Sequence, residues 1–405
     1  MQALEKIKEY NQEQILKYKD ELTDKEYCEL IKQIDNTDFS YLDNLNQSNK
    51  TQDLKISPLE VLTIDKINAS KNTYEQVGIN ALKNGEVGVL MLAGGMGTRL
   101  GSDLPKGIYN IGKTRDLYIF ECVFNNLKNV AQKFNVKIPF FIMTSELNDF
   151  ATREFLKEKN YFGYDKNYIR FFVQDMAPCV DFNGKIFLAE KNRIATSPNG
   201  NGGWFNSLLN DKDAKQLLED SKIKYINFFG VDNVLVKMAD PSFIGATILG
   251  NYECSAKVVK KQYPEEKVGV MCNKNGRPSV VEYMDFPPEL ANLKNERGEA
   301  VYNYGTILNF MFKVDVLYRI KDNKLPLHIV TKKIPYINDN GEHIKPEEPN
   351  GHKFEYLNVD LIQETNSCLV YEVERQKEFA PIKNKTGVDS VESAQELLIK
   401  NGINL

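Results

Sequence analysis

A glycine-rich stretch carries the residue types that could hold a phosphate group. It runs from Ala93 to Gly101, reads AGGMGTRLG, and has four glycines in its last eight residues. Glycines let the backbone turn tightly and present its N–H groups to an anion. Arg99 lies within the stretch and Lys106 follows it, so two cations accompany the loop. The pattern predicts a cradle for the phosphates of a nucleotide.

Two other phosphate-binding motifs do not account for this stretch. No Gly-Lys-Ser/Thr sequence closes it, so it is not a Walker A loop. Gly95 and Gly97 fit the first two places of GxGxxG, but Leu100 stands at the third. That mismatch disfavours a dinucleotide-binding dehydrogenase. Judged on the loop alone, a strand-to-helix turn without a ligand remains the alternative.

The elements around the loop predict how it is positioned. The run before it, Val87–Leu92, is apolar or small throughout, which is typical of a strand buried on both faces. Further apolar runs alternate with helical patterns, and they end at Thr144-Ser145, Gln174 and Asp232. We therefore expect an α/β, Rossmann-like core with a mostly parallel, mixed central sheet covered by helices. In such sheets ligands bind beyond the carboxyl ends of the strands.

The remaining regions give the expected domain organisation. Residues 1–72 begin with amphipathic helical patterns and form a helical N-terminal region, with a helix start at Thr23-Asp24-Lys25-Glu26. Residues 73–384 form the catalytic domain, within which a more strand-rich part spans about 250–360. Tyr356–Leu361 is expected to be a strand. Residues 385–405 form a short C-terminal helix.

Composition limits the classes of function. The 405 residues carry a net charge of −4, so no basic excess points to nucleic acid. No apolar stretch is long enough for a membrane span, and no secretory leader precedes the first helical pattern. The six cysteines form no CxxC pair and there are three histidines, which makes a zinc site unlikely on this pattern. We expect a cytoplasmic, soluble enzyme.

Nine strings in one order carry a resemblance to a known family. They are LAGGMGTRLG, PKG, SPNGNGG, VDNVLVKMADP, KVGV, VVEY, KKIPY, KPEEPNGHK and EFAPIKN, between about Val87 and Asn384. The chain resembles the eukaryotic-type UDP-N-acetylhexosamine pyrophosphorylases, within the UDP-sugar pyrophosphorylases. The resemblance implies that UTP and N-acetylglucosamine 1-phosphate are converted to UDP-N-acetylglucosamine and pyrophosphate.

That reaction needs positioning and neutralisation of charge. A sugar-phosphate oxygen attacks the α-phosphorus of UTP, in line with the departing pyrophosphate, and no covalent intermediate is required. Two polyanions meet, so Mg²⁺ (or Mn²⁺) is the expected cofactor. The expected partners are these substrates and products, without nucleic acid or membrane, and the chain is expected to be a monomer.

The resemblance implies roles for individual residues on the nucleotide side. Arg99, Lys106 and Lys383 are the expected catalytic cations, the first two for the leaving pyrophosphate and Lys383 for the attacking sugar phosphate. Asp232 and Asp360 are the expected metal ligands; for Asp360, an ordinary edge-strand aspartate is the alternative. Gln174 carries a donor and an acceptor, which suits the imide edge of uracil, although it could simply cap a strand end. The expected nucleotide-binding set is Leu92, Ala93, Gly94, Gly95, Gln174, Gly200, Asp232 and Lys353.

On the sugar side the sequence also departs from the family. The expected sugar-binding residues are Asn201, Gly269, Glu282, Tyr283, Asn303 and Thr306. Family members tend to read Asn-Ala-Gly-Asn where this chain reads Asn303-Tyr304-Gly305-Thr306, so a shorter Thr306 replaces the second asparagine. Members also continue into an additional C-terminal domain, which we expect to be largely absent here. A broader UDP-sugar pyrophosphorylase for glucose, galactose or N-acetylgalactosamine 1-phosphate and a catalytically silent nucleotide-sugar-binding regulator remain the alternatives.

Overall fold

The computed structural model of the chain describes residues 2–45, 55–323 and 325–405. The strands of these residues are, in chain order, β1 (Ile56–Ser57), β2 (Val61–Leu62), β3 (Val87–Leu92), β4 (Phe140–Thr144), β5 (Ile169–Val173), β6 (Met176–Pro178), β7 (Val180–Asp181), β8 (Leu188–Glu190), β9 (Arg193–Ile194), β10 (Thr196–Pro198), β11 (Tyr225–Gly230), β12 (Cys254–Lys260), β13 (Val270–Lys274), β14 (Arg277–Val281), β15 (Tyr304–Lys313), β16 (His328–Lys332), β17 (Tyr336–Ile337), β18 (His343–Ile344), β19 (Gly351–Glu355) and β20 (Cys368–Glu372).

The α-helices follow the same chain order. They are α1 (Gln2–Glu9), α2 (Asp24–Asn36), α3 (Ile64–Ala69), α4 (Lys71–Lys83), α5 (Ile119–Phe134), α6 (Asp149–Glu158), α7 (Trp204–Asn210), α8 (Lys212–Asp220), α9 (Pro241–Leu249), α10 (Pro288–Ala291), α11 (Val314–Ile320), α12 (Asn358–Gln363), α13 (Arg375–Glu378) and α14 (Val391–Lys400). Short 3₁₀ turns add to these, among them Thr98–Leu100 and Lys106–Ile108.

The chain divides into two compact units, each made of three segments. The first unit comprises Met1–Asp53, Gln174–Trp204 and Lys324–Asn358, and the second comprises Leu54–Val173, Phe205–Asn323 and Val359–Leu405. The functional boundaries expected at residues 72 and 384 stay predictions.

One mixed sheet forms the core of the second unit. In the described residues its strands lie in the order β2-β20-β12-β15-β11-β3-β4-β5, and β13 attaches β1 and β14 beside β15. Neighbours along this order run parallel, except that β15 is antiparallel to β12 and to β11. The predicted α/β fold with a mostly parallel, mixed sheet is therefore confirmed.

Burial explains why the central strands form. All six residues of β3 are buried, as are all five of β4, so these strands lie in the interior of the unit. Helix α5 packs its apolar side into the same core, where Phe124 meets Phe140 with ring centroids 5.2 Å apart.

The register of two central strands sets the position of the loops that follow them. Leu92 at the end of β3 is paired with Gly230 at the end of β11. The main-chain N–H of Val231 continues the pairing by donating to the oxygen of Leu92 at 3.1 Å. The glycine-rich loop and Asp232 therefore leave the sheet side by side at its carboxyl edge.

The first unit contains the N-terminal helices and several small sheets. Helix α2 begins with the predicted capping box, in which Thr23 accepts from the N–H of Glu26 and the Glu26 carboxylate accepts from the N–H of Thr23. Helices α1 and α2 share a hydrophobic cluster with Ile186, Ile194 and Phe354. Residues 46–54 of the predicted N-terminal region, which spans residues 1–72, lie outside the described residues.

One predicted strand is wrong. The residues expected to form it, Tyr356–Leu361, follow β19 and enter helix α12. Val359, Leu361 and Ile362 are buried, and this 2–3 spacing of apolar residues fits one side of a helix as well as a strand. A run of this length does not separate the two by periodicity alone.

Candidate active site

The carbonyl groups of the glycine-rich loop are held from behind by two side chains. Ser145 Oγ donates to the oxygen of Gly94 at 2.9 Å. Asn148 Nδ2 donates to the oxygen of Ala93 at 2.9 Å and to that of Gly95 at 3.3 Å. Within the described ranges, the N–H groups of Gly94 and Gly95 donate to no acceptor. The loop thus leaves its donors, not its acceptors, available to bind an anion.

A tight turn brings Lys106 back to this loop. The N–H of Gly97 donates to the oxygen of Leu104 at 2.8 Å, and the N–H of Lys106 donates to the oxygen of Gly95 at 3.1 Å. Gly101 at the turn has φ +75°, a conformation that favours glycine. The space beside Gly95 is open, because a Cβ built there meets no atom within 4 Å.

Three charged groups, Asp232, Arg99 and Lys383, act electrostatically on Lys106. Its side chain is partly buried, and the pKa of Lys106 is lowered mainly by that burial; Asp232 acts against the shift, while Arg99 and Lys383 add to it. The charge of Lys106 is therefore coupled electrostatically to two other predicted cations and to Asp232, one of the two predicted metal ligands. Such a concentration of positive charge without a full complement of acids is suited to phosphate groups.

Asp232 lies at the end of β11 with its carboxylate folded back over the strand. A Cβ on Gly230 would lie 2.7 Å from Oδ1 of Asp232, so a side chain at position 230 would displace this carboxylate. The main-chain oxygen of Asp232 accepts from the N–H of Ile382 at 2.9 Å. This bond ties Asp232 to the segment that carries Lys383.

Asn233 strengthens the same connection. Its Nδ2 donates to the oxygen of Glu378 at 2.7 Å, and its Oδ1 accepts from the N–H of Ala380 at 2.9 Å and of Leu235 at 3.2 Å. The Asn233 residue is 3% exposed. Asn233 therefore satisfies buried main-chain groups of both segments, and sequence reasoning missed this role.

Three of the predicted sugar residues are brought together. A Cβ on Gly269 would lie 3.4 Å from Oγ1 of Thr306 and 3.6 Å from Oε1 of Glu282. The N–H of Thr306 donates to the oxygen of Gly269 at 2.9 Å. This group, Gly269–Glu282–Thr306, brings a carboxylate and a hydroxyl close to the same glycine. Tyr283 follows Glu282 and is 40% exposed.

Asn303 is fixed through its main chain. Its oxygen accepts from the N–H of Lys261 at 2.8 Å, one residue beyond the pairing of Lys260 with Tyr304. A contact of its side chain with sugar stays a prediction, as does that of Tyr283.

The first unit holds the other predicted residues. Gly200 has φ +85°, and a Cβ there would lie 2.3 Å from the oxygen of Tyr356, so this position requires glycine. Asn201 uses its Oδ1 to accept from the N–H of Asn358 at 3.0 Å. Gln174 is 7% exposed and follows directly on β5 as predicted, while Lys353 lies in β19, paired with Val330.

Asp360 does not lie where the sequence placed it. It belongs to helix α12 rather than to a strand, and its role as a metal ligand stays a prediction. In the part of the chain that the structure describes, no three His, Cys, Asp or Glu side chains form a group able to hold a metal ion.

Comparisons with known proteins identify the family of the chain. The sequence model of the family described as UTP–glucose-1-phosphate uridylyltransferase matches residues 36–400. The chain belongs to this family. Its members similar to the chain include UDP-N-acetylglucosamine pyrophosphorylase of Saccharomyces cerevisiae, 37% identical over 89% of this chain and 78% of that protein. The resemblance expected from the nine strings is confirmed.

Two further relatives extend the comparison. UDP-N-acetylhexosamine pyrophosphorylase-like protein 1 of Mus musculus is 38% identical over 78% of this chain, and the chain spans 64% of the length of that relative. A solved structure of uridine diphosphate N-acetylglucosamine pyrophosphorylase from Trypanosoma brucei, in complex with an inhibitor, superposes with a TM-score of 0.83 and 26% identity. The superposition covers 98% of this chain and 83% of the chain in that structure. Both the family and the fold are therefore established for the chain.

Proposed function

We propose that the chain is a UDP-N-acetylglucosamine pyrophosphorylase, a uridylyltransferase that converts UTP and N-acetyl-α-D-glucosamine 1-phosphate to UDP-N-acetylglucosamine and pyrophosphate. The observation that carries the proposal is that Lys106 is bonded to the glycine-rich loop through its main chain and is coupled electrostatically to Arg99, Lys383 and Asp232. The names of the relatives supply the nucleotide and the sugar.

The chemistry follows from these groups. An oxygen of the sugar phosphate attacks the α-phosphorus of UTP, and the bond from that phosphorus to the bridging oxygen of the β-phosphate breaks. The electron pair leaves with pyrophosphate, so negative charge grows on the leaving group. The N–H groups of Gly94 and Gly95 and the cations Arg99 and Lys106 stabilise that charge, while Lys383 neutralises the attacking phosphate.

The donor set near Asp232 fits a magnesium ion. Mg²⁺ is usually held in enzymes by one or two carboxylates together with substrate phosphates and water, not by a full protein cage. Asp232 supplies one carboxylate at the loop, and Asp360 is the proposed second ligand. When bound, the ion would supply positive charge that offsets the negative charge of the substrate phosphates.

The remaining assignments are part of the same proposal. Gln174, Gly200 and Lys353 are proposed to contact the nucleotide, and Asn201 the sugar. We also propose that the enzyme works as a monomer in the cytoplasm. In support of a reducing compartment, the six cysteines are all free thiols in the described residues. Within the described ranges, no helix has both the length and the hydrophobicity needed to cross a bilayer.

A second candidate is a pyrophosphorylase that accepts several sugar 1-phosphates. Thr306 favours it, because a threonine reaches less far than the asparagine found at the matching place in the resembling family. A silent binding protein is less well supported, since binding alone does not require three cations around one loop.

A pyrophosphate-release assay separates these candidates. UTP is supplied with the 1-phosphates of N-acetylglucosamine, N-acetylgalactosamine, glucose or galactose in turn, with Mg²⁺ present. We expect N-acetylglucosamine 1-phosphate to give the highest kcat/KM. Equal values for glucose 1-phosphate would support the broader enzyme. Binding of UTP without any pyrophosphate release would support the silent binder.

A further inference from the structure

Lys383 is held by a loop that sequence reasoning did not connect with it. The loop runs from Asn384 to Asp389, and it leads into helix α14, which begins at Val391. Asp389 Oδ2 lies 3.0 Å from Nζ of Lys383. The chain therefore returns after six residues and places a carboxylate on the ammonium group of a proposed catalytic lysine.

Asp389 also forms a hydrogen bond with the main chain of the same lysine. Its carbonyl oxygen accepts from the N–H of Lys383 at 2.7 Å and from that of Asn384 at 3.0 Å. Asp389 can do both because its φ is +52°, a left-handed conformation that a non-glycine residue adopts at a cost. Strained residues of this kind persist where the surroundings over-determine them, often at functional sites.

The surroundings of the loop hold this conformation. Ser390 is fully buried and caps helix α14, accepting from the N–H of Ser393. Asn384 Nδ2 donates to the oxygen of Val388 at 3.0 Å, and the N–H of Val391 donates to the oxygen of Asn384 at 3.1 Å. The loop is thus held at both ends by these hydrogen bonds.

A fixed partner matters for a lysine in this place. A lysine side chain has a flexible stem and loses considerable rotamer entropy when it is ordered. The main chain beside Lys383 is already tied to the carboxyl edge of the sheet by the bond from Ile382 N–H to the oxygen of Asp232. Asp389 adds the missing constraint on the ammonium group, and it offsets the repulsion among the cations near Lys106.

We propose that Asp389 is a positioning residue for the uridylyl transfer: it holds Nζ of Lys383 in place to receive the phosphate of the sugar 1-phosphate. This rests on the proposed function, in which Lys383 neutralises that phosphate. The competing interpretation gives Asp389 only the task of leading the chain into helix α14.

The Asp389→Asn variant separates the two interpretations. Asparagine has nearly the same shape and tolerates the left-handed conformation, so the loop and its main-chain bonds are kept while the charge is lost. We expect kcat/KM for N-acetylglucosamine 1-phosphate to fall about tenfold, because one charge-assisted contact is loosened. The KM for UTP and the midpoint of thermal unfolding should change little.

A double-mutant cycle with Lys383→Met gives the decisive readout. If Asp389 acts through Lys383, Asp389→Asn should have little further effect once the lysine is gone. The proposal would be overturned if Asp389→Asn lowered kcat/KM equally in the unaltered protein and in the Lys383→Met variant. It would also be overturned if Asp389→Asn did not lower kcat/KM in the unaltered protein. Glu253→Gln is the matched control, since it breaks the ion pair with Arg319 (2.7 Å) at the start of β12, the opposite edge of the sheet.

Calorimetric binding of N-acetylglucosamine 1-phosphate to the full chain, with a non-hydrolysable UTP analogue present, distinguishes failure of this proposal from failure of the proposed function. If no sugar 1-phosphate is turned over, the proposed function is wrong. In that case Asp389→Asn must still weaken binding about tenfold for the positioning role to stand. Unchanged binding would overturn the positioning role even where turnover is normal.

Discussion

Lys257 Nζ lies 2.7 Å from Oε2 of Glu378, and the lysine is fully buried. Asp240 Oδ2 is a second partner, at 2.8 Å. Burial by itself lowers the pKa of Lys257, but the two carboxylates outweigh it and raise the pKa above the ordinary lysine value. Because the main-chain oxygen of Glu378 also accepts from Asn233, this network lies directly behind the segments that carry Asp232 and Lys383.

Lys257→Met should destabilise the protein strongly. The substitution removes the cation shared by the buried Glu378 and the partly exposed Asp240, and it leaves Glu378 only Lys237 at 3.6 Å; we expect this to cost about 3–5 kcal/mol of unfolding free energy. Urea denaturation measures the loss. Lys260→Met on the same strand is the control: Lys260 is 61% exposed and 3.5 Å from Glu372, so it should cost about 1 kcal/mol or less. Equal losses for the two variants would contradict the importance of the buried network.

Lys106 should give kcat/KM for UTP an alkaline limb. The free lysine titrates near 10.5, and burial, Arg99 and Lys383 lower its pKa in the folded protein. A lowered pKa means that the charge is lost at a lower pH than for free lysine. As the pH rises, phosphate binding should therefore weaken before pH 10.5 is reached. Lys106→Arg should remove the limb, because arginine stays charged.

The pH profile needs two further variants. Lys106→Ala should lower kcat/KM for UTP about ten- to hundredfold across the range through loss of a charge-assisted contact. Lys113→Arg, at an exposed position of the same region, should leave the profile unchanged. A limb that persists in Lys106→Arg would assign it to another group.

Asp232→Asn should remove most of the activity. The change keeps the shape of the side chain but removes the charge that the proposed Mg²⁺ site requires. We expect activity of the unaltered protein to disappear in excess chelator and to return with Mg²⁺ or Mn²⁺. The variant should need a higher Mg²⁺ concentration for half-maximal rate, whereas the exposed Asp322→Asn should not. Full activity in chelator would end this prediction.

The local part of the site could be predicted from the sequence. Each signal of the site is contained within a few neighbouring residues. These signals are the closely spaced glycines, the cations Arg99 and Lys106, and an acid that follows an apolar run. The large sheet was predictable for the same reason, since buried strands such as β3 are continuous apolar runs.

The supporting contacts could not be predicted in this way. Ser145 and Asn148 bind carbonyl groups about fifty residues earlier, and Asn233 binds a segment 145 residues later, so nothing in the local pattern identifies their partners. The strand predicted around Asp360 was wrong for another reason. The short apolar run around it fits both a strand and a helix, and tertiary packing decided for the helix.

Tyr41→Phe should weaken the proposed nucleotide loop of the first unit. With the Asn199 amide turned so that its oxygen accepts from the Tyr41 hydroxyl (3.1 Å), its nitrogen donates to the oxygens of Asp175 (2.9 Å) and Gly200 (3.3 Å). Removing one hydroxyl leaves the ring packing on Phe354 in place. We expect KM for UTP to rise about fivefold, since a hydrogen bond contributes about 1 kcal/mol.

A second tyrosine of the same unit provides the control for Tyr41. Tyr18 donates its hydroxyl hydrogen to the main-chain oxygen of Asn338 at 2.6 Å, and neither residue belongs to the Asn199–Gly200 loop. Tyr18→Phe should cost similar stability and leave KM for UTP unchanged. If both variants raise KM equally, the effect reflects the stability of the unit and not the loop.

Thr306→Asn should change the choice of sugar rather than the main activity. Thr306 Oγ1 and Glu282 Oε1 both lie close to Gly269, and a polar site there can discriminate between sugars by satisfying a substituent or leaving it unpaired. Asparagine extends the reach of position 306 and offers both a donor and an acceptor to the acetamido group. N-acetylglucosamine 1-phosphate should remain the best substrate, with slight use of N-acetylgalactosamine 1-phosphate and poor use of glucose 1-phosphate.

The ratio of kcat/KM for the two N-acetylhexosamine 1-phosphates is the measurement that checks this. One hydrogen bond gained or lost is worth about 1 kcal/mol, so the ratio should shift about fivefold in the variant. Thr73→Asn on the exposed side of α4 should leave it unchanged. An unaltered ratio in Thr306→Asn would show that the acetamido group is recognised elsewhere. Equal turnover of glucose and N-acetylglucosamine 1-phosphates by the unaltered chain would instead favour the broader enzyme, because a site satisfied by acetamide contacts should reject a sugar that leaves them unpaired.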